Sequence, residues 1–146
     1  LAIEADIEVI YELQKKAFIQ EAELYNNFNI TPLTENIETV EKDFRELTIL
    51  KAIYLERIIG SIRASKLSKG LVYLQTDCTP RLPKQERRKE TDTKGEGLFP
   101  VGTRFELWTG HKSGKNISLY EKLGYRKYSE RTIGANPTLI CLEKWT

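Results

Sequence analysis

Phe105-Glu106-Leu107-Trp108-Thr109-Gly110, followed after a short polar link by Asn116-Ile117-Ser118-Leu119-Tyr120-Glu121-Lys122-Leu123-Gly124-Tyr125, is the stretch that decides the fold. Phe105 and Leu107 alternate with polar neighbours, so Arg104 to Trp108 reads as a strand. Thr109-Gly110-His111-Lys112-Ser113-Gly114 reads as a loop. Asn116 to Leu123 reads as a short helix ended by Gly124, because glycine accepts the positive φ that closes a helix. At the start of that helix the Asn116 amide can both cap free N–H groups and bond a ligand. Tyr120 follows at i+4, so both side chains can point at one site. A phenol, with its ordinary pKa of about 10, can give a proton to a departing thiolate.

Working outward, Tyr125 to Ile133 and Thr138 to Trp145 read as two closing strands joined by a Gly134-Ala135-Asn136-Pro137 turn. Upstream, Asp6 to Gln20 carries Ile7, Ile10, Tyr11, Leu13, Gln14, Ala17 and Phe18 in a helical rhythm, with Asp6 as the expected N-cap. Tyr25 to Pro32 is polar and Asn-rich and reads as a loop. A second helix is expected from Thr34, with Thr34 capping and Ile37, Val40, Phe44 and Leu47 on one face. Thr48 to Glu56 and Ile58 to Leu67 form a strand pair around a tight turn opened by Arg57. Ser68-Lys69-Gly70 is a second turn, and Leu71 to Leu74 begins a third strand.

The pattern then breaks. From Thr79 to Gly97 the only strongly apolar residue is Leu82, among Lys84, Arg87, Arg88, Lys89 and Lys94. Taken as written, this is a structureless loop of unusual length for a chain of 146 residues.

Composition bounds the function. The 146 residues fit one domain, 1–146, with 40% hydrophobic and 30% charged residues. No apolar run approaches the ~20 residues of a membrane helix. Glu4, Asp6 and Glu8 interrupt any leader pattern, and the start at Leu1 reads as trimmed. A net charge of +2, from 23 Lys and Arg against 21 Asp and Glu, argues for neither a nucleic-acid nor a membrane-surface partner. Cys78 and Cys141, the two cysteines, stand in no metal-ligand spacing and read as inert. They make a reducing, cytoplasmic compartment the default. With His111 as the single histidine, a metal site is not expected, and His111 itself reads as a solvated loop residue. Glu21, Glu23 and Tyr25 can face an amine, but as a group they read as a solvated helix end.

The motif from Asn116 to Tyr125 resembles the N-x-x-L-Y-E-K-x-G-[FY] signature of the GNAT family of N-acetyltransferases, and it matches every specified position. The order of elements agrees over most of the chain. The resemblance implies an α/β (α+β by some schemes) fold, a mixed twisted sheet with helices on both faces. It implies acetyl transfer from acetyl-CoA to an amine by direct attack in a ternary complex, with no metal. Fourth-strand amides would steady the oxyanion, Tyr120 would protonate the coenzyme A sulfur, and Asn116 would contact the pantetheine arm. The acceptor would be a small-molecule or peptide amine, and a homodimer would be common for the family. No residue is identifiable as the general base; a glutamate acting through water would be the usual type.

One family feature is missing. A segment of the form [QR]-x-x-G-x-[GA], whose amides cradle the pyrophosphate, belongs near Pro83 to Lys89. Gln85-Glu86-Arg87-Arg88-Lys89 has no glycine, and the apolar fourth strand and third helix are not legible. A one-base frame slip starting near Asp77 and ending near Phe99 or Pro100 permits an apolar strand and helix there at unchanged length. Taken as written, residues 75–99 predict loss of a central strand and of the amide cradle. The alternative function is then a catalytically inactive GNAT-like binding module.

Overall fold

The computed structural model describes residues 1–66, 71–78, 97–133 and 138–146. A 3-10 turn at Glu4–Asp6 leads into α1 (Ile7–Tyr25), then α2 (Thr31–Thr34), α3 (Ile37–Glu46), β1 (Thr48–Tyr54), β2 (Arg57–Lys66), β3 (Leu71–Cys78), β4 (Arg104–Gly110), α4 (Gly114–Lys122), β5 (Arg126–Thr132) and β6 (Thr138–Trp145). Six strands form one sheet in the order β1-β2-β3-β4-β6-β5. Every neighbouring pair is antiparallel except β3 and β4, which run parallel. The expected mixed α/β architecture is therefore present.

Strand alternation separates two faces. Ile62 and Ala64 of β2, Val72 and Leu74 of β3, Phe105 and Leu107 of β4, and Ile140 and Leu142 of β6 share one apolar core with Tyr120 of α4, against which Ile117 and Leu123 pack. Arg63, between Ile62 and Ala64, points to the opposite face and meets Gln14 of α1. Helices thus lie on both faces, α4 on one and α1 on the other.

Several local expectations are corrected. α1 runs to Tyr25, beyond Gln20, and closes at Asn26 in the left-handed region with φ 49°. Asn tolerates that conformation where glycine is absent. Asp6 stands at the N-cap position but makes no side-chain cap. Its Oδ2 accepts from Ile3 N–H at 2.7 Å and from Lys51 Nζ at 2.6 Å. Asn36, not Thr34, caps α3, accepting from Thr39 N–H at 3.1 Å. Thr34 ends α2, where its hydroxyl turns back to the Ile30 carbonyl. The first hairpin turns at Leu55 and Glu56, with φ 47° and 61°, and Arg57 already pairs with Tyr54. Positive φ at both central residues matches the right-handed twist of the flanking strands.

The central strand forms from the residues as written. β3 continues past Leu74 to Cys78, in antiparallel register with β2 as far as Gly60↔Cys78. The expected loss of that strand is thus corrected: β2 supplies a full-length template, and Leu71-Val72-Tyr73-Leu74 is β-prone. The pyrophosphate segment and the helix that the resemblance places after it fall in 79–96, outside the described residues, as do the 67–70 and 134–137 turns. Among the described residues, no helix is long and apolar enough to cross a membrane.

Candidate active site

The site begins where two strands part. β3 and β4 pair only over Leu71↔Arg104 to Leu74↔Leu107, although β3 runs on to Cys78 and β4 to Gly110. Parallel neighbours that stop pairing leave facing main-chain N–H and C=O groups without a ladder. The cleft that opens there has a volume of about 410 Å³ and is lined by Gln75 and Thr76 of β3, Trp108 to Gly110 of β4, and side chains from α1 and α4.

Both predicted site residues line it. Tyr120 and Asn116 reach the cleft from α4, brought together by their one-turn spacing. Tyr120 is only 5% exposed, and its ring meets Tyr125 edge-on at 5.9 Å, so the core holds the phenol in place at the cleft wall. Asn116 is not the helix cap. α4 starts at Gly114 with Ser113 in the N-cap position, and Asn116 lies within the first turn. Its Nδ2 lies 3.5 Å from Thr109 Oγ1, at the end of β4. Thr109 and Gly110, expected in a loop, instead extend the strand to that point.

The opposite wall is α1. Glu21 and Tyr25 line the cleft and are not a solvated helix end; Glu23, on another face, is exposed. The Glu21 carboxylate accepts from the Ser113 hydroxyl, with 2.8 Å to each oxygen. Tyr25 accepts at its hydroxyl from Lys112 N–H at 2.7 Å. Burial pushes the Tyr25 phenol above its usual range and the Glu21 charge adds to this, against the Lys112 amide. Gly110 allows this approach: a Cβ there would sit 2.8 Å from Tyr25 Cε2 and 2.5 Å from Glu21 Oε1.

Behind α1 lies a buried polar network. Arg63, 3% exposed, bonds Gln14 Oε1, Asp43 Oδ2 at 2.8 Å and Glu35 Oε1 at 3.3 Å. Gln14 donates to Glu35 and to the Pro32 carbonyl. Glu35 also lines the cleft. Burial raises the Asp43 pKa, and the Arg63 charge only partly offsets it. On the β4 side, Glu106 accepts from Trp108 Nε1 at 2.8 Å, which orients an indole that lines the cleft. Tyr128 beside Glu106 is pushed up to about 12 by burial and by the Glu106 bond and charge. His111 is exposed, its Nδ1 3.0 Å from the Thr138 carbonyl. Cys141 is buried and free, and burial raises its pKa, which keeps the thiol protonated.

Sequence reasoning missed Glu35 and Arg63, placed Gln14 on the inward stripe of the first helix without a polar role, and set Glu21 and Tyr25 aside. The available signal was the Gln14, Ala17, Glu21, Tyr25 spacing, a single helical stripe.

No family model and no curated protein matches the chain. Solved structures do. An acetyltransferase of the GNAT family from Streptococcus agalactiae superposes with TM-score 0.77 at 13% identity, over 100% of this chain and 93% of its own. The ribosomal-protein-S18-alanine N-acetyltransferase of Escherichia coli gives 0.76 at 12% identity, over 97% and 88%. A GNAT superfamily phosphinothricin acetyltransferase from Sinorhizobium meliloti, in complex with AcCoA, gives 0.75 at 15% identity, over 99% and 85%. The six-stranded sheet parted between its parallel strands, with helices on both faces, is the fold of the GNAT acetyltransferases.

Proposed function

We propose that this chain is an acetyl-CoA-dependent N-acetyltransferase that moves the acetyl group to an amine held in the same cleft. The observation that carries the reading is the joint placement of Tyr120 and Asn116 on the wall of a cleft opened by the parting of β3 and β4. The cleft fits an acyl-thioester carrier: its open strand edges offer main-chain groups to an amide-bearing arm, and a phenol stands on the same wall. Acetyl-CoA supplies the activated acyl group. The neutral amine attacks the thioester carbonyl, and its nitrogen releases a proton to solvent as the new C–N bond forms and the C–S bond breaks. Main-chain amides of β3 beyond Leu74 steady the developing oxyanion. Tyr120 gives its proton to the departing sulfur, and Asn116 bonds the arm. The fold of the solved relatives supports the same chemistry.

Calorimetry with acetyl-CoA tests the carrier. Micromolar binding is expected; no binding ends the enzyme reading and leaves a GNAT-like binding module. For a protein that binds, Tyr120→Phe is expected to lower kcat by ~10²-fold with little change in acetyl-CoA affinity. An unchanged kcat removes Tyr120 from the chemistry.

A further inference from the structure

We propose that the α1 wall of the cleft takes a di- or polycationic aliphatic amine, with Glu21 holding one ammonium group and Glu35 another. The inference names the acceptor class for the transferase reading above and rests on that reading for its chemistry, in which the reacting nitrogen first gives its ammonium proton to solvent, but not for binding.

Charge is the first argument. Among the described residues lining the cleft, Glu21 and Glu35 are carboxylates and none carries a cationic side chain. The chain as a whole is net +2, so this negative wall runs against the general balance. Lys112 and Arg131 lie over the Tyr25 and Trp108 rings at 5.2 and 4.9 Å but outside the lining itself, and a recess whose lining carries one sign of charge concentrates the opposite ion. Neither carboxylate is used up. The Ser113 hydroxyl has one proton to give Glu21, whereas a carboxylate offers about four lone-pair sites. On Glu35, Arg63 and Gln14 both bond Oε1, and Lys15 Nζ bonds the main-chain carbonyl at 2.6 Å rather than the carboxylate, so the second carboxylate oxygen is left for a ligand among the described residues.

Spacing is the second argument. Glu35 is tied to Gln14, and Glu21 lies seven residues further along the same helix. At 1.5 Å per residue, the helix positions that hold Glu35 (through Gln14) and Glu21 are about 10 Å apart along α1. An extended triamine separates its end nitrogens by a similar length. Between the charges the wall is Ala17 and Phe18, suited to methylene spacers.

Trp108 lines the cleft and reports on binding by fluorescence; Trp145, 62% exposed, is removed as Trp145→Phe. Spermidine is titrated in that background without acetyl-CoA. It is expected to bind, and Glu21→Gln is expected to weaken it about tenfold or more, the scale of one charged hydrogen bond. Glu23→Gln, an exposed change on the same helix, should leave affinity unchanged, and butylamine, with one ammonium group, should bind about tenfold more weakly than spermidine. Circular dichroism verifies the fold of each variant. The proposal is overturned if spermidine does not bind, if folded Glu21→Gln binds as the parent does, or if butylamine matches spermidine. Glu21-dependent spermidine binding in a protein that ignores acetyl-CoA keeps this inference and ends the transferase reading. Acetyl-CoA binding without spermidine binding does the reverse.

Discussion

The two walls of the cleft are built by different physics. The α4 wall is apolar: Tyr120 and Tyr125 stand in one core with Phe105, Leu107, Ile140 and Leu142. Its geometry is set by close packing, which is insensitive to pH and salt. The α1 wall is backed by polar groups: Gln14, Arg63, Glu35 and Asp43 are held by charged hydrogen bonds behind the helix, and Glu21 by a hydroxyl from the far side of the cleft. Position there depends on protonation and counter-charge. The proposed proton donor thus sits on a rigid apolar mount, and the proposed acceptor-binding carboxylates sit on a mount that charge can tune.

The largest effects should expose that contrast. Arg63→Met leaves Glu35 and Asp43 without their shared cation, and breaking a buried pair in this way costs about 3–5 kcal/mol. Phe105→Ala, at a fully buried site, should cost a similar ~3–5 kcal/mol by opening a cavity. The two separate with pH. Burial already raises the Asp43 pKa, so in the absence of Arg63 acid protonates Asp43 and relieves the repulsion. Urea unfolding from pH 7 to pH 4 should show Arg63→Met recovering relative to its parent while the Phe105→Ala deficit stays constant. Equal pH behaviour would erase the distinction between the walls. A smaller effect is expected at the seam between them. Gly110→Ala drives a Cβ onto Tyr25 and Glu21 and should cost about 1–3 kcal/mol. It should weaken amine binding more than acetyl-CoA binding, because the displaced groups belong to α1; equal losses would show one continuous wall.

The same contrast explains what could be read in the sequence. The α4 wall was legible because its information is local. Alternation marks Phe105 and Leu107, a one-turn spacing links Asn116 and Tyr120, and Gly124 takes φ 91° where the helix was expected to end. The α1 wall was not, because its polar residues find partners far along the chain. Arg63 lies 49 residues from Gln14, Lys112 87 from Tyr25, and Ser113 92 from Glu21. A glutamate satisfied by such a partner looks, in sequence, like a solvated one. The turn of Asn116 from expected cap to first-turn residue has a nearer cause: Gly114 and Lys115 are themselves helical, which moves the cap to Ser113. β3 outran its apolar pattern because pairing with β2, rather than burial alone, carries it to Cys78.

The smallest prediction asks whether charge also anchors the start of α1. Asp6 precedes the helix and ties it to β1 through Lys51 Nζ at 2.6 Å. Burial, the largest influence, pushes the Asp6 pKa up, but the Lys51 bond and charge and the Ile3 amide together outweigh it, and the net shift is below the ordinary 3.8. A carboxyl with a lowered folded pKa binds its proton first in the unfolded chain, so its stabilisation is present above 3.8 and is lost as pH falls through the folded value. Asp6→Asn should therefore cost about 1 kcal/mol at pH 7, and the gap to the parent should close in acid below 3.8. Thermal unfolding across that range measures it. Amine affinity should not move, because Asp6 acts on the far end of α1 from Glu21. A loss of affinity in Asp6→Asn would mean that the helix shifts along its length as one body, and that the two carboxylates of the cleft keep their spacing only while this tether holds.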